Sequence, residues 1–231
     1  MSGRVLFAVS AAFALSLAGD TDPGLAESTD RVPPPNVAEE DVFDQAPVAE
    51  GIIERYLLDP RGEVEGLLLR DGSHMYVTSR AEEHLIRAIT PGDHVRVYGR
   101  RTTSDGLVQP DVIKNLSQHT TFIVPIRLDL PMQEQEAHVS VTQMYAAGTI
   151  RVLLYHAFKD MVQGMILSDE TQIRLPLDTS AELRRSFHVG DSVVIRGHGT
   201  TTKFGRAIEA VAIGSDRDSL VPLGASLRRE P

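Results

Sequence analysis

GIIERYLLDPRGEVEGLLLRDGSHMYV, residues 51–77, returns about 98 residues later as GTIRVLLYHAFKDMVQGMILSDETQIRL, residues 148–175, with one extra residue in its first turn. Beyond that turn the register holds without gaps. Gly66 matches Gly164, Leu69 matches Leu167, Asp71 matches Asp169 and Leu85 matches Leu183. The match continues through Gly92-Asp93 and Gly190-Asp191, Val95 and Val193, Gly99 and Gly197, and Thr102-Thr103 and Thr200-Thr201. Self-similarity at core and turn positions over such a length marks the duplication of one small domain.

Each copy predicts the same elements. An apolar run (51–58; 148–155) meets a turn, DPRGE or HAFKD, and a second run (64–69; 161–167) ends at DGS or DET, a tight hairpin signal. The third strand alternates Met75 and Val77, or Ile173 and Leu175, with polar neighbours. Helical spacing follows over 80–89 and 179–187, carried by Leu85, Ile86 and Ile89 and by Leu183 and Phe187. The PGD and VGD turns launch a fourth strand, and 107–113 and 206–213 supply a fifth. Gly92 and Gly190 suit a turn with φ > 0, and Gly66 and Gly164 suit a kink where a small barrel coils. Asp71, Asp93, Asp169 and Asp191 sit where a carboxylate caps a turn. Glu170 stands where the first copy has Gly72, which puts the tight hairpin there in question.

Three strands, a short helix and two more strands in about 65 residues resembles the five-stranded OB barrel. The G-x-I, G-x-x-L-x-D and G-D-x-V-x-x-x-G skeleton is similar to OB-like modules of bacterial proteins of uncharacterised function. The resemblance covers 51–115 and 148–214, about 130 of the 231 residues. It implies an all-β fold of two tandem five-stranded OB-like barrels with one short helix per repeat. Its motifs specify a fold and no activity.

The organisation expected is a signal peptide (1–18), an acidic Pro-rich disordered segment (19–48), repeats over 49–115 and 143–214 joined by a linker (116–142), and an extended tail (215–231). Val5–Leu17 is an apolar run too short to span a bilayer, with small residues Ser16 and Ala18 at the −3 and −1 positions of a cleavage site. A misassigned start or a short buried helix is the alternative. Net charge is −9, yet residues 19–50 alone hold nine acids and one base. The repeats are nearly neutral. In the linker, TTFIVPIRLDL has the composition of one strand, but Pro125 and Pro131 argue against a central one.

With no cysteine, the chain has no disulfide, thiol chemistry or cysteine-based zinc site. Phosphate loops, nucleophile elbows and zinc-protease helices are missing too. His74, His84 and His94 are evenly spaced but fall on a strand, a helix and a strand start, and the second copy replaces them with Gln172, Glu182 and Ser192. No metal and no cofactor is therefore expected. An OB barrel binds ligands on the outer face of strands two and three and their flanking loops. Alternation aims His74, Tyr76, Arg96, Tyr98 and Arg100 outward in the first copy, and Gln172, Arg174, Arg196 and His198 in the second, with Lys203 and Arg206 around its last loop. Arg and Tyr together suit phosphates and a stacked base, yet Tyr76 and Tyr98 align with Arg174 and Arg196.

The expectation is a non-enzymatic binding or interaction module of the cell envelope, periplasmic or secreted, without a stable membrane span. Its partner would be a protein, a peptide or a glycan. The alternative is a weak single-stranded nucleic-acid binder, cytoplasmic if residues 1–18 are not cleaved. Few aromatics and near-neutral repeats rank that second.

Overall fold

The structure, a computed structural model, describes residues 46–77, 81–125, 141–156 and 161–223, all within one compact unit. The expected signal peptide, the acidic segment through residue 45, linker residues 126–140 and tail residues 224–231 lie outside the described residues.

The first copy forms β1 (Ala49–Leu58), β2 (Val64–Leu69), β3 (His74–Tyr76), α1 (Glu82–Ala88), β4 (His94–Arg101) and β5 (Leu107–Asn115). A further strand, β6 (Thr120–Ile123), follows. The second copy forms β7 (Thr142–Tyr155), β8 (Val162–Leu167), β9 (Gln172–Arg174), α2 (Ala181–Arg185), β10 (Ser192–Thr202) and β11 (Gly205–Gly214), then β12 (Val221–Pro222). In the first sheet β1 pairs with β2 and β4, β2 with β3, β4 with β5, and β3 with β5 in parallel, which closes a five-stranded barrel. The second sheet repeats these five ladders in the same senses. β6 and β12 each add to the outside of a fifth strand.

Alternation explains the interior. Ile53, Leu67, Leu69, Met75, Val95, Val97 and Ile113 point inward, and Leu85 of α1 and Ile89 just after it join the same core. The second core holds Ile150, Met165, Leu167, Ile173, Ile195 and Ile208. Bulges coil the strands at equivalent places. β1 inserts Glu54 between the Ile53–Leu69 and Arg55–Leu68 pairs, and β7 inserts Arg151 between Ile150–Leu167 and Val152–Ile166. Gly66 and Gly164 sit where strands cross closely, since a Cβ would lie 2.2 Å from the Met75 carbonyl oxygen and 2.3 Å from that of Ile173. The turn glycines Gly92 and Gly190 share φ +98°.

The structure decides three points that the sequence left open. The hairpin at Glu170 is as tight as its glycine counterpart: its N–H donates to Leu167 O at 2.9 Å, as Gly72 N–H does to Leu69 O at 3.0 Å. Glu170 takes φ +70° to do so. The linker's TTFI is an edge strand, where the nearby prolines cost no ladder hydrogen bond. The tail contributes β12, and Leu223 beside it is 5% exposed because it caps the second core.

A third apolar cluster lies between the halves. Leu57 and Leu68 meet Leu154 and Ile166, flanked by Tyr76 and Val152. Leu57 is the counterpart of Leu154, and Leu68 of Ile166, so the halves join through the same face in a pseudo-twofold arrangement. Burying a leucine fully stabilises by about 2 kcal/mol, which makes this cluster a third source of stability.

Candidate functional site

The outer face of strands two and three is where the joint forms. His74 does point out of its barrel, as alternation requires, but its side is fully buried because the second half covers it. Its Nε2 accepts the Tyr155 N–H at 3.0 Å. At the other end, Gln172 Oε1 accepts the Leu58 N–H at 2.9 Å, and Gln172 Nε2 donates to Tyr56 O at 3.0 Å. His74 and Gln172 are counterparts, and so are Leu58 and Tyr155. The two contacts are one contact made twice.

Charges have diverged around this joint. Glu54 and Arg151 are counterparts that now pair with each other at 2.6 Å. Arg174 pairs with Glu65, while the counterparts of these two are Tyr76 and Gln163. Arg55 pairs with Glu170 and donates to its carbonyl at 3.1 Å, and Arg151 reaches the same carboxylate at 3.2 Å. Burial holds the His74 imidazole below its ordinary pKa, pushes the Tyr76 phenol up, and pulls the Arg174 guanidinium down. His74, Tyr76 and Arg174 thus belong to the joint, and the cavity beside Tyr76 and Arg174 has a volume of only about 10 Å³.

The remaining sequence candidates separate into three places. On β4, Arg96 makes two hydrogen bonds to Glu50 at 2.8 and 3.2 Å, Tyr98 is buried, and Arg100 is exposed. Lys203 lies 4.8 Å over the Phe204 ring, which stands edge-on to Tyr56 at 5.1 Å, tying the last hairpin to the first barrel. Arg206 donates to the Tyr145 carbonyl and lies 4.0 Å from Asp169. Arg196 and His198 line a groove.

That groove has a volume of about 410 Å³ and runs over β10 and β11. Arg196, His198 and Glu209 face Asp178 from the connection before α2, and Val211, Pro222 and Leu223 complete an apolar side. Two features shape it. Val211 is the extra residue of a bulge between the Arg196–Ala212 and Gly197–Ala210 pairs. Arg184 on α2 is buried and donates through Nε to Thr179 O at 3.1 Å and through Nη2 to Pro176 O, which fixes the connection carrying Asp178. Leu177 and Val221, next to lining residues, are 80% and 61% exposed. Glu209 is an exposed position of β11 opposite His198, within reach of the same alternation, whereas the β12 wall was missed because a two-residue strand leaves no periodic signal.

The other histidines lie apart: His84 is exposed on α1, and His94 is 3.4 Å from Glu50. Among the described residues no three His, Cys, Asp or Glu side chains gather as metal ligands would. No described helix is long and apolar enough to cross a membrane.

No protein-family model matches the chain, and no curated protein does. Among the solved structures it is similar to are two forms of one protein. The wild-type single-stranded DNA binding protein from Thermus aquaticus is 16% identical over 77% of this chain and 95% of that one, with a TM-score of 0.22. A deletion mutant of the same protein is 14% identical over 78% and 95%, also at 0.22. At that score neither a site nor a ligand carries over to this chain.

Proposed function

We propose that this protein is a non-enzymatic binding or interaction module of the cell envelope, built from two tandem OB-like barrels, whose partner docks in the Arg196–His198 groove. The observation that carries this reading is the division of surfaces. The face an OB barrel ordinarily offers is spent on joining the halves, and among the described residues the groove on the second half is left open. Exposed Leu177 and Val221 beside charged Arg196 and Glu209 make an apolar rim around a polar floor. Such a surface suits a protein or peptide partner better than a glycan, which wants stacked aromatic rings.

Single-stranded nucleic acid ranks behind it. Of the four arginines that reading needs, Arg96 is paired with Glu50 and Arg174 with Glu65, so only Arg100 and Arg196 offer charge to a phosphate. A fluorescent oligothymidylate titrated at low salt separates the two readings. Absence of salt-sensitive binding removes nucleic acid, whereas micromolar binding lost in Arg100→Ala and Arg196→Ala removes the envelope module. Export has its own test, the fractionation and intact mass of the natively expressed protein. A product starting near Gly19 in the periplasm or medium supports it; an unprocessed cytoplasmic product overturns it.

A further inference from the structure

The two ends of the joint use one geometry and two chemistries. His74 and Gln172 each accept a backbone N–H from the end of the other half's first strand, at 3.0 and 2.9 Å. An imidazole accepting at Nε2 carries its proton on Nδ1, and His74 Nδ1 does lie 3.3 Å from the Gly72 carbonyl, to which it donates. The tautomer is therefore set at both nitrogens. A second proton can only go to Nε2, where it would turn the acceptor into a donor facing another donor. A glutamine amide has no such second state.

We propose that His74 is an acid-sensitive latch: protonation of Nε2 from solvent breaks the bond to the Tyr155 N–H and loosens that end of the joint, while the Gln172 end holds. This goes beyond the binding role and does not depend on it. The site has the features such a latch needs. His74 is fully buried, stacked on Tyr155 at 6.3 Å and edge-on to Tyr76 at 6.1 Å. Among the described residues, those phenols are the titratable groups in ring contact with it. Asp71 and Asp105, next in sequence to the neighbouring Gly72 and Gly106, are exposed, and His156 beside Tyr155 is half-buried. Burial is the dominant cause of its lowered pKa.

The direction follows from linkage. A histidine whose pKa is depressed in the closed form contributes stability that is full above the open-form value, about 6.5, and is lost as pH falls from there through the closed-form value. Between pH 7.5 and 5.5 the opening equilibrium shifts by about tenfold if the closed form stays unprotonated.

Amide hydrogen exchange on the full chain, with intrinsic rates removed, tests this at single residues. The Tyr155 N–H loses about tenfold in protection between pH 7.5 and 5.5, the Leu58 N–H changes less than about twofold, and His74→Gln removes the loss at Tyr155. Unchanged protection at Tyr155, an equal loss at Leu58, or a loss that survives His74→Gln overturns the proposal. If His74→Gln does not fold, imidazole ¹⁵N shifts of the unmodified protein decide. An Nδ1–H tautomer titrating below 6.5 together with the loss at Tyr155 supports the latch, and an Nε2–H tautomer or a midpoint at or above 6.5 overturns it.

Discussion

Asp93 and Asp191 occupy equivalent turns in the two halves and live in different surroundings. Asp93 is 8% exposed and accepts hydrogen bonds from Thr90 N–H and Oγ1–H, Asn115 and Gln118 at 2.7–3.0 Å. Asn115 also reaches Ala88 O at 2.9 Å, so the network locks α1 to the fifth strand. Asp191 accepts the exposed His188 backbone N–H at 2.8 Å, with the His188 imidazole 3.7 Å away, and its side chain is 45% exposed. The turn itself needs only the backbone bond, and that both halves keep. What surrounds it was free to diverge, and in the first half it became a structural knot. The same division runs through the joint, where the apolar centre kept its character and the charges around it did not.

The comparison breaks most easily at the joint's centre. Leu68→Ala and Ile166→Ala, truncating counterparts in one cluster, should each cost about 3 kcal/mol in urea denaturation. The double variant should cost less than the sum, because the two share one cavity. Strict additivity would mean that the halves do not pack as described.

Next comes the turn carboxylate. Asp93→Ala should cost about 2–3 kcal/mol by orphaning the buried Asn115 amide and the half-buried Thr90 donors, against about 0.5–1 for Asp191→Ala. Burial pushes the Asp93 carboxyl up, but the bonds from Thr90, Asn115 and Gln118 outweigh it and hold the pKa below its ordinary value. Its contribution is thus present above about pH 4 and lost as pH falls through the folded-state value. Acid titration of stability should lose this component in Asp93→Ala; equal losses in the two variants would deny the difference in surroundings.

A smaller effect tests the hairpin. Glu170→Ala keeps the unfavourable positive φ and removes the contacts to Arg55 and Arg151, whereas Glu170→Gly removes both strain and contacts. The alanine variant should be less stable than the glycine variant by about 1 kcal/mol. The smallest effect is a transfer: Gln172→His should leave stability at pH 7.5 within about 1 kcal/mol and add acid sensitivity to the Leu58 N–H.

Much of the fold was legible because its signals are local. Alternating apolar residues, turn glycines and capping aspartates place strands and hairpins within a residue or two, and the repeat checks each assignment twice. The helices came out shorter than their spacing suggested, since α2 ends at Arg185 and Phe187 enters the core from the turn beyond it. The candidate site was legible only in part. Alternation says which side chains leave a barrel, and it was right about His74, Tyr76 and Arg174. It cannot say what covers them. The groove was half in view through Arg196 and His198, with Glu209 directly opposite His198 on the next strand, but Asp178 and the β12 wall come from other connections.

By itself the sequence determined a duplicated all-β unit, its turns and its two interior cores, because period-two burial and backbone-limited turns are written residue by residue. Only the tertiary structure decided that the outer face of strands two and three in each half is consumed by the other. That outcome depends on whether two apolar patches of matching shape meet, and contact between surfaces more than 80 residues apart leaves no period in the chain.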